Sequence, residues 1–301
     1  GMLLAMSSER ERVEAFWNAT HTGPAPDHGN YLAHPLVAAY TSIRATGVIV
    51  GQLEVAIAEL RDRCPNGARI LSPGCGAAHK ELALARALPD RHFVAVDIAE
   101  SALAAGRNAA AQLGLTNIEF AVADFNQLEL ERESFDAIIG LGAFHHIENF
   151  EGFWAQCRRA LRKGGVILAQ EYVGPNRLQW TDAQIEHGDR VLRDLVPACH
   201  KVAHDRVHRV ALEHIIAVDP SEAVRSSEML PTLQAAGFAI AALVSGGGAL
   251  LQPVLIDQIH TYDPRNWQHN LVLAKLFAEE DRLMREGVLQ DDFVMFRTEP
   301  V

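Results

Sequence analysis

Between residues 66 and 172 the chain alternates two apolar patterns. Short runs that are apolar almost throughout occur at 69–71, 92–97, 118–123, 135–140 and 165–172. Continuous runs of this length predict strands buried on both faces. Between them the apolar positions recur at helical spacing. Residues 77–88 place Ala78, Leu82 and Ala85 on one face, 101–113 begins at Ser101 and stops at Gly114, and 149–161 stops at Lys163-Gly164. The Ser and Gly boundaries suit helix caps. Strand–helix alternation predicts an α/β domain with a parallel sheet covered on both sides.

The flanks are mostly helical in pattern. Residues 8–18 form an amphipathic helix anchored by Val13, Phe16 and Trp17, and a loop rich in Gly, Pro, His and Asp fills 20–30. Helices are expected at 36–45 and 48–63. Beyond Tyr172, Gly174-Pro175-Asn176 opens a segment with helices at 180–195 and 201–217. Then come a helix at 228–236, a strand at 238–244, a flexible joint at 245–248, helices at 249–260 and 268–285, and a strand at 292–297. This divides the chain into a helical cap (1–65), a core (66–172), a helical insertion (173–225) and a C-terminal part that completes the core (226–301).

The 301 residues are 49% hydrophobic, enough for a sizeable core. Asp and Glu outnumber Lys and Arg by 38 to 27, for a formal net charge of -11. Nucleic-acid binding needs a cationic surface, so DNA and RNA are not expected as partners. No run of 18 apolar residues and no signal peptide are apparent, so no membrane association is expected. Gly1 before Met2 has the look of a tag remnant. Cys64, Cys75, Cys157 and Cys199 are too scattered for a zinc site or a disulfide framework. A reduced, cytoplasmic protein is expected.

The chemistry centres on Pro73-Gly74-Cys75-Gly76, a tight turn between the first strand and its helix. Its glycines let the backbone approach a ligand closely. The helix start offers unpaired N–H groups and a positive dipole end. Asp97 ends the second strand about 20 residues later, where an acid can accept hydrogen bonds from ribose hydroxyls. A nicotinamide dehydrogenase would need a third glycine at position 79, which is His79.

Five blocks in order carry a family resemblance: Ile70-Leu71-Ser72-Pro73-Gly74-Cys75-Gly76, Val96-Asp97-Ile98, Ala123-Asp124-Phe125, Phe135-Asp136 with His145-His146, and Leu161-Arg162-Lys163-Gly164-Gly165. Together they resemble class I S-adenosylmethionine (SAM) dependent methyltransferases. The resemblance implies a Rossmann-like, seven-stranded mixed sheet whose last strand is antiparallel. It implies SAM as cofactor and S-adenosylhomocysteine (SAH) as product. Ser72, Gly74, Cys75, Gly76 and Gly140 would line the cofactor site, Asp97 would hold the ribose, Ile98 would pack on adenine, and Asp124 and Phe125 would meet the adenine edge. The chain departs from the family at Ser72, where an acid is usual, and at Ala78, where a third glycine is usual. Ser72 brings no charge near the SAM ammonium, so another acid supplies that contact or affinity is reduced. Ala78 is a change a helix tolerates.

The resemblance also places His145, Glu171 and Tyr172 at the C-terminal ends of strands four and five, where open α/β sheets bind ligands. They are the catalytic candidates, with one of the two histidines expected to be structural. Tyr31, His34 and Trp180 are the candidate acceptor contacts. The insertion is expected to serve as a substrate lid or a dimer arm, and the protein as a monomer or homodimer. His200, His204 and His208 would share a helix face, but no metal site is expected of them. Glu280 falls on an apolar stripe and is expected to be a buried acid paired with an Arg. The expected function is methyl transfer to a small molecule at oxygen or nitrogen; the alternative is a SAM-binding protein without transferase activity.

Overall fold

The computed structural model describes residues 10–18, 31–201 and 205–301. The expected loop at 20–30 and His204 lie outside them. Seven strands form one sheet: β1 (Arg69–Pro73), β2 (His92–Asp97), β3 (Ile118–Val122), β4 (Phe135–Leu141), β5 (Leu161–Tyr172), β6 (Ile240–Gly247) and β7 (Phe293–Thr298). Their order is 3-2-1-4-5-7-6. β1 to β5 pair in parallel, and β7 runs antiparallel between β5 and β6. Chain direction across the sheet reverses between β1 and β4. That switch point opens a crevice beyond the C-terminal strand ends.

In β1, β2 and β4 the continuous apolar runs have a simple cause: consecutive strand residues serve opposite layers; β3, at the sheet edge, has no buried residue, contrary to the burial its run predicts. Ile70, Phe93, Ala137 and Ile139 pack with Leu60 of α3 (Gln52–Arg63) and Leu84 of α4 (His79–Ala87). Leu71, Val94 and Ile138 pack with Trp154 of α6 (Phe150–Ala160) and Leu233 of α9 (Met229–Ala235). α5 (Glu100–Gln112) lies against β2 and β3.

A third core joins parts that are far apart in sequence. Val37 of α2 (Pro35–Thr46), Val191 of α7 (Asp182–Asp194), Val254 of α10 (Leu251–Leu255) and Leu276 of α11 (Trp267–Arg285) share it. Residues 10–18, here α1, are helical as well. Cap and insertion therefore share one hydrophobic core with the C-terminal helices.

Two acids are buried there. Glu280 is 0% exposed. Its oxygens accept hydrogen bonds from the N–H groups of Gly248, Leu250 and Leu251, each at 3.0 Å, and from Tyr40 Oη at 3.2 Å. The backbone thus satisfies Glu280 where an arginine was expected, and Arg44 donates instead to the neighbouring Asp281. Asp292 accepts from Gln184 Nε2 at 2.8 Å.

Four local expectations change. The 245–248 joint is ordered: β6 runs through Gly247, and a Cβ on Gly248 would sit 2.5 Å from the Phe293 ring. Of the helix expected at 201–217, the described residues 205–211 are not helical and 212–217 fall in α8 (Leu212–Val218). Before it, Val207 N donates to the Asp189 carboxylate and Arg209 binds Trp180 O, contacts that hold the backbone off a helix. His200 therefore ends a short 3-10 turn and shares no helix face with His208. Ala78 stands ahead of α4 in the left-handed region, φ 58°, where a residue other than Gly costs about 1–2 kcal/mol.

Burial pushes the Asp292 carboxyl up to about 7, above the roughly 3.9 of an exposed Asp. The folded chain then holds this proton more tightly than the unfolded one, so stability is highest below about 4 and declines as pH rises to about 7. Asp292→Asn retains an acceptor for Gln184 and should remove this part of the decline. Urea midpoints at pH 5 and pH 8 should draw closer together in the variant; an unchanged gap would refute the assignment.

Candidate active site

β1 leads into the turn 74–78 and then α4. Gly74 N and Cys75 N both donate to Val96 O, at 2.8 and 3.1 Å, which fastens the turn to the end of β2. Gly74 has φ +72°, and a Cβ there would sit 2.9 Å from Ala143 Cβ. Asp97 completes the fastening. Its Oδ2 accepts from Gly76 N at 2.7 Å and its Oδ1 from Ala99 N at 2.9 Å. Each oxygen keeps a further lone pair for a ligand. Ile98 is buried beside it. Asp124 accepts from Asn126 N at 2.9 Å and lies 3.6 Å from the Arg10 guanidinium. The tip of the Phe125 ring lies 3.8 Å from where a Cβ on Gly74 would sit. Gly140 plays a packing part, since a Cβ there would collide with the Phe144 ring at 2.5 Å.

A cavity of about 300 Å³ opens at the C-terminal ends of β4 and β5. α2 contributes Thr41, Ser42 and Ala45 to its wall, and β7 contributes Val294 and Met295. Glu171, Tyr172, His145 and Lys80 reach it as well. The Lys80 ammonium donates to Leu141 O at its edge. Ser42 Oγ bonds the backbone at Val48 and Val50, which shapes the rim.

Glu171 organises this end of the site. Its Oε1 accepts from Ala143 N and Phe144 N, each at 2.8 Å, and its Oε2 accepts from His145 Nδ1 at 2.9 Å. Donation by Nδ1–H leaves Nε2 of a neutral His145 with its lone pair free. Burial alone would push the His145 pKa down, but the Glu171 hydrogen bond and charge, with Glu222 and Asp219 beyond, outweigh it and raise the value above the ordinary one. Burial would likewise raise Glu171, yet its bond to His145 and the two amides bring it below the usual carboxylate range. His146 is different. Its Nδ1 meets Ser221 Oγ at 3.1 Å, Ser221 donates to Asp219 at 2.7 Å, and Trp17 sits edge-on to the ring. Burial and the neighbouring His145 lower its pKa. His145, His146 and Glu222 also bring ligand-type atoms within 4.8 Å of one another.

The structure therefore gathers His145 and Glu171 at the cavity, with Tyr172 in its wall. The Tyr172 hydroxyl is engaged, donating to Pro175 O at 3.1 Å. The three candidate acceptor contacts lie elsewhere. Tyr31 packs against Phe293 in the third core. His34 caps α2, accepting from Leu36 N. Trp180 is 2% exposed in the same core. Among the described residues, none of the wall comes from 173–225; that segment instead backs the histidines with Asp219, Ser221 and Glu222. The sequence reading missed Lys80, Thr41, Ser42 and Glu81. Of these only Glu81 left a signal: it adjoins Leu82 on the buried face of α4, as a polar group needing a buried partner.

The profile of a methyltransferase domain matches residues 65–237, more than half of the chain. The chain belongs to this methyltransferase family. Its cofactor is S-adenosylmethionine. Among curated relatives, the sterol 24-C-methyltransferase of Eremothecium gossypii is 26% identical over 164 residues, 52% of this chain and 43% of that one. The malonyl-[acyl-carrier protein] O-methyltransferase of Bacillus cereus is 33% identical over 100 residues, covering 33% and 36%. This methyltransferase chain thus spans less than half the length of either. Two solved structures share its fold. Geranyl diphosphate C-methyltransferase from Streptomyces coelicolor, solved with Mg2+, geranyl diphosphate and SAH, gives a TM-score of 0.55 at 11% identity, covering 97% of this chain and 98% of that one. The [4+2]-cyclase SpnF gives 0.52 at 15% identity, covering 96% and 93%. At these identities the fold is what is shared.

Replacing Glu171 by Leu would orphan two buried N–H groups and the His145 ring. Loss of one partner from a buried charged pair costs about 3–5 kcal/mol. Denaturant unfolding should show a loss of that size, and a loss under about 1 kcal/mol would mean Glu171 is not the hub described.

Proposed function

We propose that this methyltransferase moves the methyl group of SAM to a hydroxyl oxygen of a small, largely apolar molecule. The observation that carries the reading is His145 in the wall of the cavity, its Nδ1 held by Glu171 and its Nε2 4.0 Å from Glu222 Oε1. The cofactor supplies an activated methyl group whose leaving group is neutral. On its side of the crevice, the Gly74–Cys75–Gly76 backbone admits a close ligand, and Asp97 keeps lone pairs for ribose hydroxyls. Ile98, Asp124 and the Phe125 backbone suit the adenine. The acid at the end of β2, which binds the turn at Gly76 N and keeps acceptor capacity for a ligand, supports the fit to this cofactor.

On the acceptor side, the apolar wall from Ala45, Val55, Leu141, Val294 and Met295 suits a hydrophobic body. A hydroxyl must lose its proton as it attacks, and a base positioned for this contributes about 10²–10⁴-fold. A neutral amine would need no such base, which favours oxygen over nitrogen. Glu171 would stabilise the imidazolium that forms. α2 forms part of the cavity wall through Thr41, Ser42 and Ala45. The competing reading, SAM binding without transfer, draws support from the cyclase that shares this fold. Turnover of any hydroxylated acceptor in a metabolite screen, with methyl recovered on oxygen, supports the proposal; SAH binding with no transfer to any member would favour the alternative.

Two further outcomes are expected. kcat/KM should rise with pH through a midpoint above the ordinary His value, because only neutral His145 accepts the proton. Glu171→Gln removes the charge that raises it, so the midpoint should shift to lower pH; an unmoved midpoint would assign the limb to another group. Asp97→Ala should weaken SAH binding in calorimetry by about 1.5–3 kcal/mol for each charge-assisted bond lost, and unchanged affinity would remove Asp97 from the ribose site.

A further inference from the structure

β1 carries one hydroxyl among apolar neighbours. Ser72 is 2% exposed, and its Oγ donates to Glu81 Oε1 at 2.7 Å. Glu81 comes from the first turn of α4, just behind the glycine turn, and is itself 3% exposed. Burying a carboxylate is costly unless its charge is compensated. Compensation from this chain is partial: the Ser72 hydroxyl, a backbone N–H and the charge of Lys80, whose ammonium binds Leu141 O, favour the carboxylate, while Asp97 adds a second negative charge nearby. Burial accordingly raises the Glu81 pKa, against the bond from Ser72. Two acids thus converge under a turn that serves a cofactor bearing a sulfonium and an ammonium.

We propose that Glu81, acting through Ser72, seats the ammonium group of the cofactor. Ser72 has a single hydrogen, and Glu81 takes it. The lone pairs of Oγ are then turned away from Glu81, which makes the hydroxyl an acceptor for an N–H donor. The carboxylate behind it supplies the negative charge that serine lacks. A helix-borne acid with a hydroxyl relay thereby stands in for an acid on the strand at position 72. Glu81 is a positioning residue: it touches Ser72, and Ser72 touches the ligand. It also follows that Ser72→Asp alone would set a second carboxylate against Glu81, a repulsive pair rather than an improved site.

The test is cofactor binding, so it is independent of which acceptor is methylated. SAH carries the ammonium; 5′-methylthioadenosine keeps the adenosine and the sulfur but lacks the amino-acid end. Calorimetry with both probes should show Glu81→Gln and Ser72→Ala weakening SAH by about tenfold or more. The affinity for 5′-methylthioadenosine should stay within about twofold, which also reports an intact turn. Moving the acid back to the strand, Ser72→Asp with Glu81→Ser, should recover SAH affinity. Equal losses for both probes would reduce the pair to an anchor between β1 and α4, and an unchanged SAH affinity in Glu81→Gln would overturn the proposal. Failure of the wild-type protein to bind SAH would instead count against the cofactor assignment.

Discussion

The reactive end of the crevice depends on one buried carboxylate. Glu171 is enclosed at the end of β5, with three donors from a neighbouring segment: two amides of the 143–144 backbone and the Nδ1–H of His145. A charge in that position is tolerable only because every donor is in place. The same bonds fix the path of the chain leaving β4, select the His145 tautomer and hold the ring at the cavity. Stability and chemistry are therefore joined at one side chain.

A second buried acid repeats the device in the outer layer. Glu280 gathers the amides of 248, 250 and 251 and binds Tyr40 of the cap. It fixes the end of β6 against α11 and, through Tyr40, against α2, the helix that walls the cavity. Both acids act as receptors for backbone N–H groups that would otherwise be buried without partners.

Core strands were legible because a strand buried on both faces must be apolar at every position, and Ile70, Leu71, Phe93 and Val94 show this directly. Glycine turns and acids at strand ends were legible for the same local reason. Partners across the fold were not. Glu280 was recognised as buried, but nothing in its neighbourhood in sequence indicates backbone amides from 248–251 as partners. Trp180 has the bulk of a pocket residue and spends it in the core, since apolar periodicity reports burial without saying against what. Thr41 and Ser42 face the cavity yet resemble any small polar pair in a helix. The 205–211 stretch had a helical pattern that tertiary bonds from Asp189 and Arg209 override.

The placement of β7 bears on how the chain comes off the ribosome. β6 has a single neighbour in the sheet, and that neighbour is β7, which also covers the free edge of β5. Residues 248–292, with α10 and α11, are synthesised between them. At about 5–20 residues per second, the nascent β6 and the β5 edge wait for seconds with unpaired backbone groups. Pairings such as Leu168 with Arg297 close only after long loops have formed, which slows folding. The interval is one in which strands of neighbouring nascent chains can pair with each other, and in which a holding chaperone would find its natural substrate.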